Sequence, residues 1–310
     1  MSQCKFIVDD KATVQGTTLF AEGKHACTKE TGVYLPPNHQ DKSSNLNVIL
    51  WLHGYYVKSV RNLFNPGSDY ETTLRQSILA SKKDVVLVAP WLGYRDHSSG
   101  SIGLGKLGGG KGCQLYLEEV LTALGEFQGA KNLQINTLIV AGHSAGGLMM
   151  RDAVGTFGSL KQNLKECWGF DCIYGPAGTW SEWIRANKTK VKLYFYIASG
   201  SNKIAAVDLI KVVNGTLKKP NFDHSRQNIF MAPALKAYGT LIDKIAFQSN
   251  EEFQIKFATD AYELIRKEVD PLLDDPKSGK YWQKIYPYLK GHFEVVRDLL
   301  APRIQQSPVL

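Results

Sequence analysis

The chain has 310 residues, 44% hydrophobic and 21% charged, with a formal net charge of +8 from 37 basic and 29 acidic residues. That length can bury a large core in one α/β unit, and the composition excludes the sparse hydrophobicity of a disordered protein. The basic residues are scattered and their densest pairs, Lys82-Lys83 and Lys218-Lys219, make no longer cluster, so no nucleic-acid partner is expected and the charge reads as solubility plus a preference for acidic surfaces.

Five cysteines, Cys4, Cys27, Cys113, Cys167 and Cys172, stand at irregular spacing, with neither a disulfide framework nor a CxxC metal pair. The stretch MSQCKFIVDD lacks an apolar signal region, and no 18-residue apolar run occurs, so a cytoplasmic protein without a transmembrane segment is expected. Removal of a leader would make it a secreted one, and only then would the acceptor patterns at 187–189 and 214–216 matter.

In chain order, the opening segment with TTLFAEG and GVYLPPN fits antiparallel edge strands. Buried strands are then predicted at 48–54, 84–91, 137–143, 192–199 and 228–233, with a shorter one at 170–176. These runs are continuous rather than alternating, as strands covered on both faces are. Helical spacing is found at 70–83, 114–127, 147–157, 179–187 and 206–215. Alternating strands and helices argue for an α/β class with a mostly parallel, doubly wound sheet in a single domain spanning 1–310. The tract SSGSIGLGKLGGGKG (98–112) reads as a mobile loop, and residues 235–290 as a helical insertion.

The segment TLIVAGHSAGGLMM (137–150) carries the chemistry. Gly142-His143-Ser144-Ala145-Gly146 fits GxSxG between a strand and a helix, the context a nucleophile elbow requires. Small residues two before and two after the serine let strand and helix nearly touch. Ser144 would project at the carboxyl end of the sheet, with the Ala145 N–H aimed at a reacting oxygen.

With this motif the chain resembles the serine esterase and lipase branch of the α/β-hydrolase superfamily, loosely its polyhydroxybutyrate depolymerase and feruloyl esterase relatives, whose entry strands YLPP and ILWLHG look like. The resemblance runs from about residue 30 to the end and implies an α/β-hydrolase fold. It also implies that in LWLHGYY (50–56) the N–H of Tyr55 completes an oxyanion hole with Ala145, while His53 orders the loop. In KGHFEVVRDLLAPRI (290–304) it implies that His292 is the base, with His224 and His97 as rivals. The resemblance places the triad acid soon after Gly200, where Asn202 and Lys203 stand instead. Asp208 through a longer loop, Asn202 as an uncharged orienter, and an acid from elsewhere, Asp171 or Asp223, remain open, with Asp208 in front.

The glycine tract matches GxGxxG and the start of a P-loop, but it lies beyond its strand and Gly112 stands where magnesium needs Ser or Thr. It is expected instead to overhang the pocket as a rim. Tyr56, Trp91 and Tyr94, with His143 beside the nucleophile, are candidates to line a substrate site, whereas core packing accounts equally for Trp51. The 235–290 insertion fits a cap, a subunit interface or edge packing, with a cap ahead. The expectation is a serine hydrolase acting on a small or polymeric carboxylic ester through an acyl-enzyme, with Ser144, His292 and Asp208 or Asn202 and no metal or cofactor. The alternative is a hydrolase-fold binding or scaffold protein without turnover, resting on the missing carboxylate.

Overall fold

Runs of Val, Ile and Leu pair side by side because each can be covered on both faces. The structure, a computed structural model, describes residues 5–9, 15–22, 30–40, 44–64, 69–96, 98–175, 177–187, 190–198, 229–233 and 291–310. Its strands are β1 (Phe6–Val8), β2 (Thr17–Glu22), β3 (Glu30–Leu35), β4 (Asn45–Leu52), β5 (Val86–Pro90), β6 (Gly93–Arg95), β7 (Gly100–Ile102), β8 (Gln134–His143), β9 (Leu164–Phe170), β10 (Lys192–Ile197) and β11 (Ile229–Pro233). Its α-helices are α1 (Asp69–Ser81), α2 (Gly112–Gln128), α3 (Gly146–Ala153), α4 (Ala177–Asn187) and α5 (Glu294–Gln306).

Among the described residues nine strands form one sheet in the order β1-β2-β3-β5-β4-β8-β9-β10-β11, and β6 and β7 form a separate hairpin. The first three strands are antiparallel and β3 joins β5 antiparallel; from β5 to β11 the pairing is parallel. The chain leaves β4 for β5 on one side and returns to β8 on the other, so a topological switch point lies between the carboxyl ends of β4 and β8, where open sheets bind ligands.

Alternate residues of the central strands enter two cores. Val48, Leu50, Val86, Val88, Leu138 and Val140 pack with Leu117 and Val120 of α2, Met150 of α3 and Trp180 of α4. Ile49, Trp51, Leu87, Ile139, Ala141 and Trp168 pack with Leu74 and Ile78 of α1 and Val295, Leu299 and Leu300 of α5. Each such Val, Leu, Ile or Met side chain, fully buried, contributes about 1.5–3 kcal/mol of hydrophobic stabilisation. Trp51 is thus a core residue, tilted against Phe170 with ring centroids 5.9 Å apart.

Three expectations change. The short strand at 170–176 is not one: the strand is Leu164–Phe170, upstream, and residues 171–175 are the loop that follows it. Its polar letters obscured the strand, because Glu166 is buried there by accepting from Trp168 Nε1 (2.7 Å) and Ser307 Oγ (3.2 Å). The glycine tract is ordered: β7, a 3-10 turn over Gly105–Gly108 and the start of α2 follow one another, anchored by buried Leu104 and Leu107. A Cβ at Gly112 would lie 2.1 Å from the Lys106 carbonyl oxygen, so glycine here permits close packing. Helix α3 stops at Ala153, whose carbonyl accepts from Thr156 Oγ1 (2.9 Å). The helix predicted at 206–215 and the 235–290 insertion lie outside the described residues, and no helix among those described is long and apolar enough to cross a membrane.

Candidate active site

β8 hands over to α3 through a single left-handed residue, Ser144, with φ +56°. A non-glycine residue is held there only where its surroundings fix it. The fixing is done by glycines and a neighbouring strand. Ser144 N–H donates to the Phe170 carbonyl at the end of β9 (3.2 Å), and Gly147 N–H donates back to the Ser144 carbonyl (3.0 Å). A Cβ on Gly142 would come within 2.7 Å of the Gly146 oxygen, and one on Gly146 within 2.0 Å of the Leu52 oxygen. Both flanking glycines are therefore required. Ser144 itself stays partly exposed at the sheet's carboxyl edge.

The turn after β4 closes over the serine from the other side of the switch point. A Cβ on Gly54 would lie 2.6 Å from Ser144 Cβ, so backbone and nucleophile candidate are in direct contact. His53, wholly buried, holds this turn: Leu92 N–H donates to its Nε2 (2.8 Å), which leaves the proton on Nδ1 to donate to the Gly54 carbonyl (2.8 Å). Burial pushes its imidazole down to about 4, so the ring is neutral. Tyr56 follows with φ +72° and donates its N–H to the Arg95 carbonyl (2.9 Å), docking the β6–β7 hairpin on the turn, while the Arg95 guanidinium lies 5.1 Å from the Tyr55 ring centre. Among the described residues the amide N–H groups of Tyr55 and Ala145 have no hydrogen-bond acceptor.

His292 precedes α5, whose apolar face docks on the second core. Its Nδ1 lies 2.6 Å from Asp171 Oδ2; the histidine side chain is a quarter exposed and the aspartate completely buried. Asp171, at φ +45°, begins the loop after β9. Its Oδ1 accepts from Ala198 N–H (2.9 Å), and its own N–H donates to the Tyr196 carbonyl (2.8 Å), so the end of β10 fixes the carboxylate from the side. His143 is fully buried; its Nε2 donates to the His292 carbonyl (2.8 Å) and its ring lies 4.4 Å from that of His292. Burial first, then the neighbouring His292, pushes His143 down to about 3.

The structure therefore brings Ser144, His292, Tyr55 and Ala145 to one end of the sheet and adds Asp171, while Asp208 and Asn202, and the rival His224 and His97, lie outside the described residues. Of the four candidate pocket residues, His143 is fully buried, Trp91 and Tyr94 are half-buried and Tyr56 is exposed. Buried His143 supports the His292 loop rather than facing a ligand. Trp91 is anchored by Nε1 donating to the Val57 carbonyl (3.2 Å), against the second core. Tyr94 donates to Asp96 within the hairpin (3.2 Å). Tyr56 remains 44% exposed, and Phe293 beside His292, which sequence reasoning missed, is 43% exposed. Its signal was an aromatic next to the proposed base. Among the described residues no three His, Cys, Asp or Glu side chains gather as a metal centre would need.

Strand order, the Ser144 elbow at the switch point and a histidine ahead of the last helix define an α/β-hydrolase fold. Solved structures with a similar architecture include an S-formylglutathione hydrolase from Agrobacterium tumefaciens, at 14% identity over 74% of this chain and 89% of that one, TM-score 0.39. A feruloyl esterase module from Clostridium thermocellum matches at 15% identity over 74% and 81%, TM-score 0.40. An acetyl xylan esterase from Aspergillus awamori matches at 14% over 66% and 77%, TM-score 0.36. No protein-family model matches the chain, and no curated sequence does.

Proposed function

We propose that the protein is a serine hydrolase that cleaves carboxylic esters through an acyl-enzyme. The observation that carries this reading is the 2.6 Å contact between buried Asp171 and His292 at the same sheet end as the left-handed Ser144. With Nδ1–H donated to Asp171, His292 presents Nε2 as the acceptor for the Ser144 proton. Oγ attacks the ester carbonyl, and the oxyanion is received by the N–H groups of Tyr55 and Ala145, each such donor lowering the barrier by about 2.7–4 kcal/mol. His292 then returns the proton to the departing alcohol, and water repeats the sequence on the acyl group. Exposed Tyr56 and Phe293, flanking the oxyanion turn and the base, favour an ester with an apolar acyl or alcohol part.

On this reading the acid is Asp171, one of the candidates left open beside Asp208, Asn202 and Asp223, and its contact with His292 supports it. A binding protein without turnover rested on the missing carboxylate after Gly200, and Asp171 removes that support. The test is fluorophosphonate labelling with p-nitrophenyl acetate turnover. Wild type is expected to label, Ser144→Ala and His292→Ala to lose labelling, and Asp171→Asn to lose roughly 10⁴-fold in kcat. An unlabelled, folded wild type would sink the reading, and an Asp171→Asn variant with undiminished kcat would return the acid to Asp208 or Asn202.

A further inference from the structure

His143 is the residue just before Ser144, fixed as the last residue of β8 by its pairing with Phe170 of β9. Its buried side chain reaches across 149 positions of sequence, and Nε2–H donates to the His292 carbonyl (2.8 Å). The two imidazole rings lie 4.4 Å apart at 36°, and the Phe293 ring meets both, at 5.6 Å from His143 and 5.2 Å from His292. The other holds on this segment differ in kind. Gly291 N–H donates to Glu294 Oε2 (2.6 Å) and Val295 N–H to the Gly291 carbonyl (3.2 Å), which tie the segment to its own helix. Asp171 ties the His292 ring to the sheet at one atom, Nδ1.

A ring held at one atom can swing about it unless its main chain is also held. The His143 bond supplies that second point, and it does so from the neighbour of the nucleophile. Consecutive Cα atoms stand about 3.8 Å apart, so the anchor of His292 and the Ser144 backbone share one peptide link. On the reading of Ser144 and His292 as nucleophile and base, we infer that His143 is a positioning residue. Its hydrogen bond to the His292 main chain sets the separation across which the Ser144 proton is transferred, a step that needs hydrogen-bond geometry. Burial above all pushes the His143 ring down to about 3, so it holds the base without placing a charge against the imidazolium that forms there.

The test compares wild type with His143→Leu, which removes the donor, and His143→Gln, whose amide nitrogen replaces Nε2. Turnover of p-nitrophenyl acetate is expressed per serine labelled by fluorophosphonate, which makes it independent of the folded fraction. His143→Leu is expected to lose roughly 10- to 100-fold in kcat with KM unchanged, the scale of an ångström's misplacement, and His143→Gln to recover most of that loss. A Leu variant that does not fold is replaced by His143→Phe, which keeps a ring. In a His292→Ala background the residual turnover should fall no further on removing the donor, because a residue acting through the base has no effect once the base is gone. An undiminished kcat without the donor, a Gln variant no better than Leu or Phe, or an equal loss in the absence of His292 would overturn the inference while leaving a labelled Ser144 standing. An unlabelled wild type would remove the parent reading, and this one with it.

Discussion

Gly54 touches Ser144 without intervening side chain, and the consequence is testable at the level of one methyl group. Gly54→Ala puts a carbon 2.6 Å from Ser144 Cβ and 3.0 Å from its Oγ, closer than real contacts allow. The turn follows the carboxyl end of β4, outside the strand pairing, and the expected outcome is a folded protein, by circular dichroism and melting, with labelling of Ser144 lost; unchanged labelling would show that the turn can retreat. Ser144, with its flanking glycines, was legible in the sequence because the elbow imposes residue size at fixed offsets. Asp171 was only one of several candidates, behind Asp208, since a carboxylate that acts through space leaves no spacing signal. It was further concealed by a strand prediction that started at residue 170 and placed Asp171 inside it, whereas the strand ends at Phe170.

At the scale of elements, α5 must be held if His292 is to meet Asp171. Part of that hold is Arg303, buried, with its guanidinium 3.8 Å from the Tyr194 ring centre and 5.6 Å from that of Trp168, in the field of buried Glu166. Arg303→Ala removes the buried cation from the faces of Tyr194 and Trp168, which is expected to cost about 2 kcal/mol. Denaturant unfolding measures this directly, and a cost under about 1 kcal/mol would mean the helix is held by its apolar face alone. The parallel strands were legible because they are apolar throughout. β9 was not, because Lys165 and Glu166 break its pattern and only the tertiary partners Trp168 and Ser307 explain how Glu166 is tolerated. The glycine tract misled in the opposite direction: its composition signals freedom, while Leu104 and Leu107 pin it to the core.

For the molecule as a whole, acid stability follows from two buried neutral histidines. His53 and His143 titrate at about 4 and about 3 in the folded protein, against 6.5 when exposed. Between these values the unfolded chain binds protons that the folded one refuses, so stability falls as pH drops below 6.5 and continues to fall toward pH 4 for His53 and pH 3 for His143. His53 alone accounts for about 3 kcal/mol of that loss. Melting temperatures should be steady above neutrality and decline from just below it, with His53→Asn flattening the slope; a curve level down to pH 4.5 would contradict the burial of both rings.

The anchoring of Asp171 by the amide of Ala198 has one more implication. With the carboxylate rooted on β9, the reacting groups of the proposed site reside on two adjoining strands, one turn and the final helix. The proposed nucleophile and its acid are thereby encoded close together, on neighbouring strands, so that one contiguous stretch of the gene carries both.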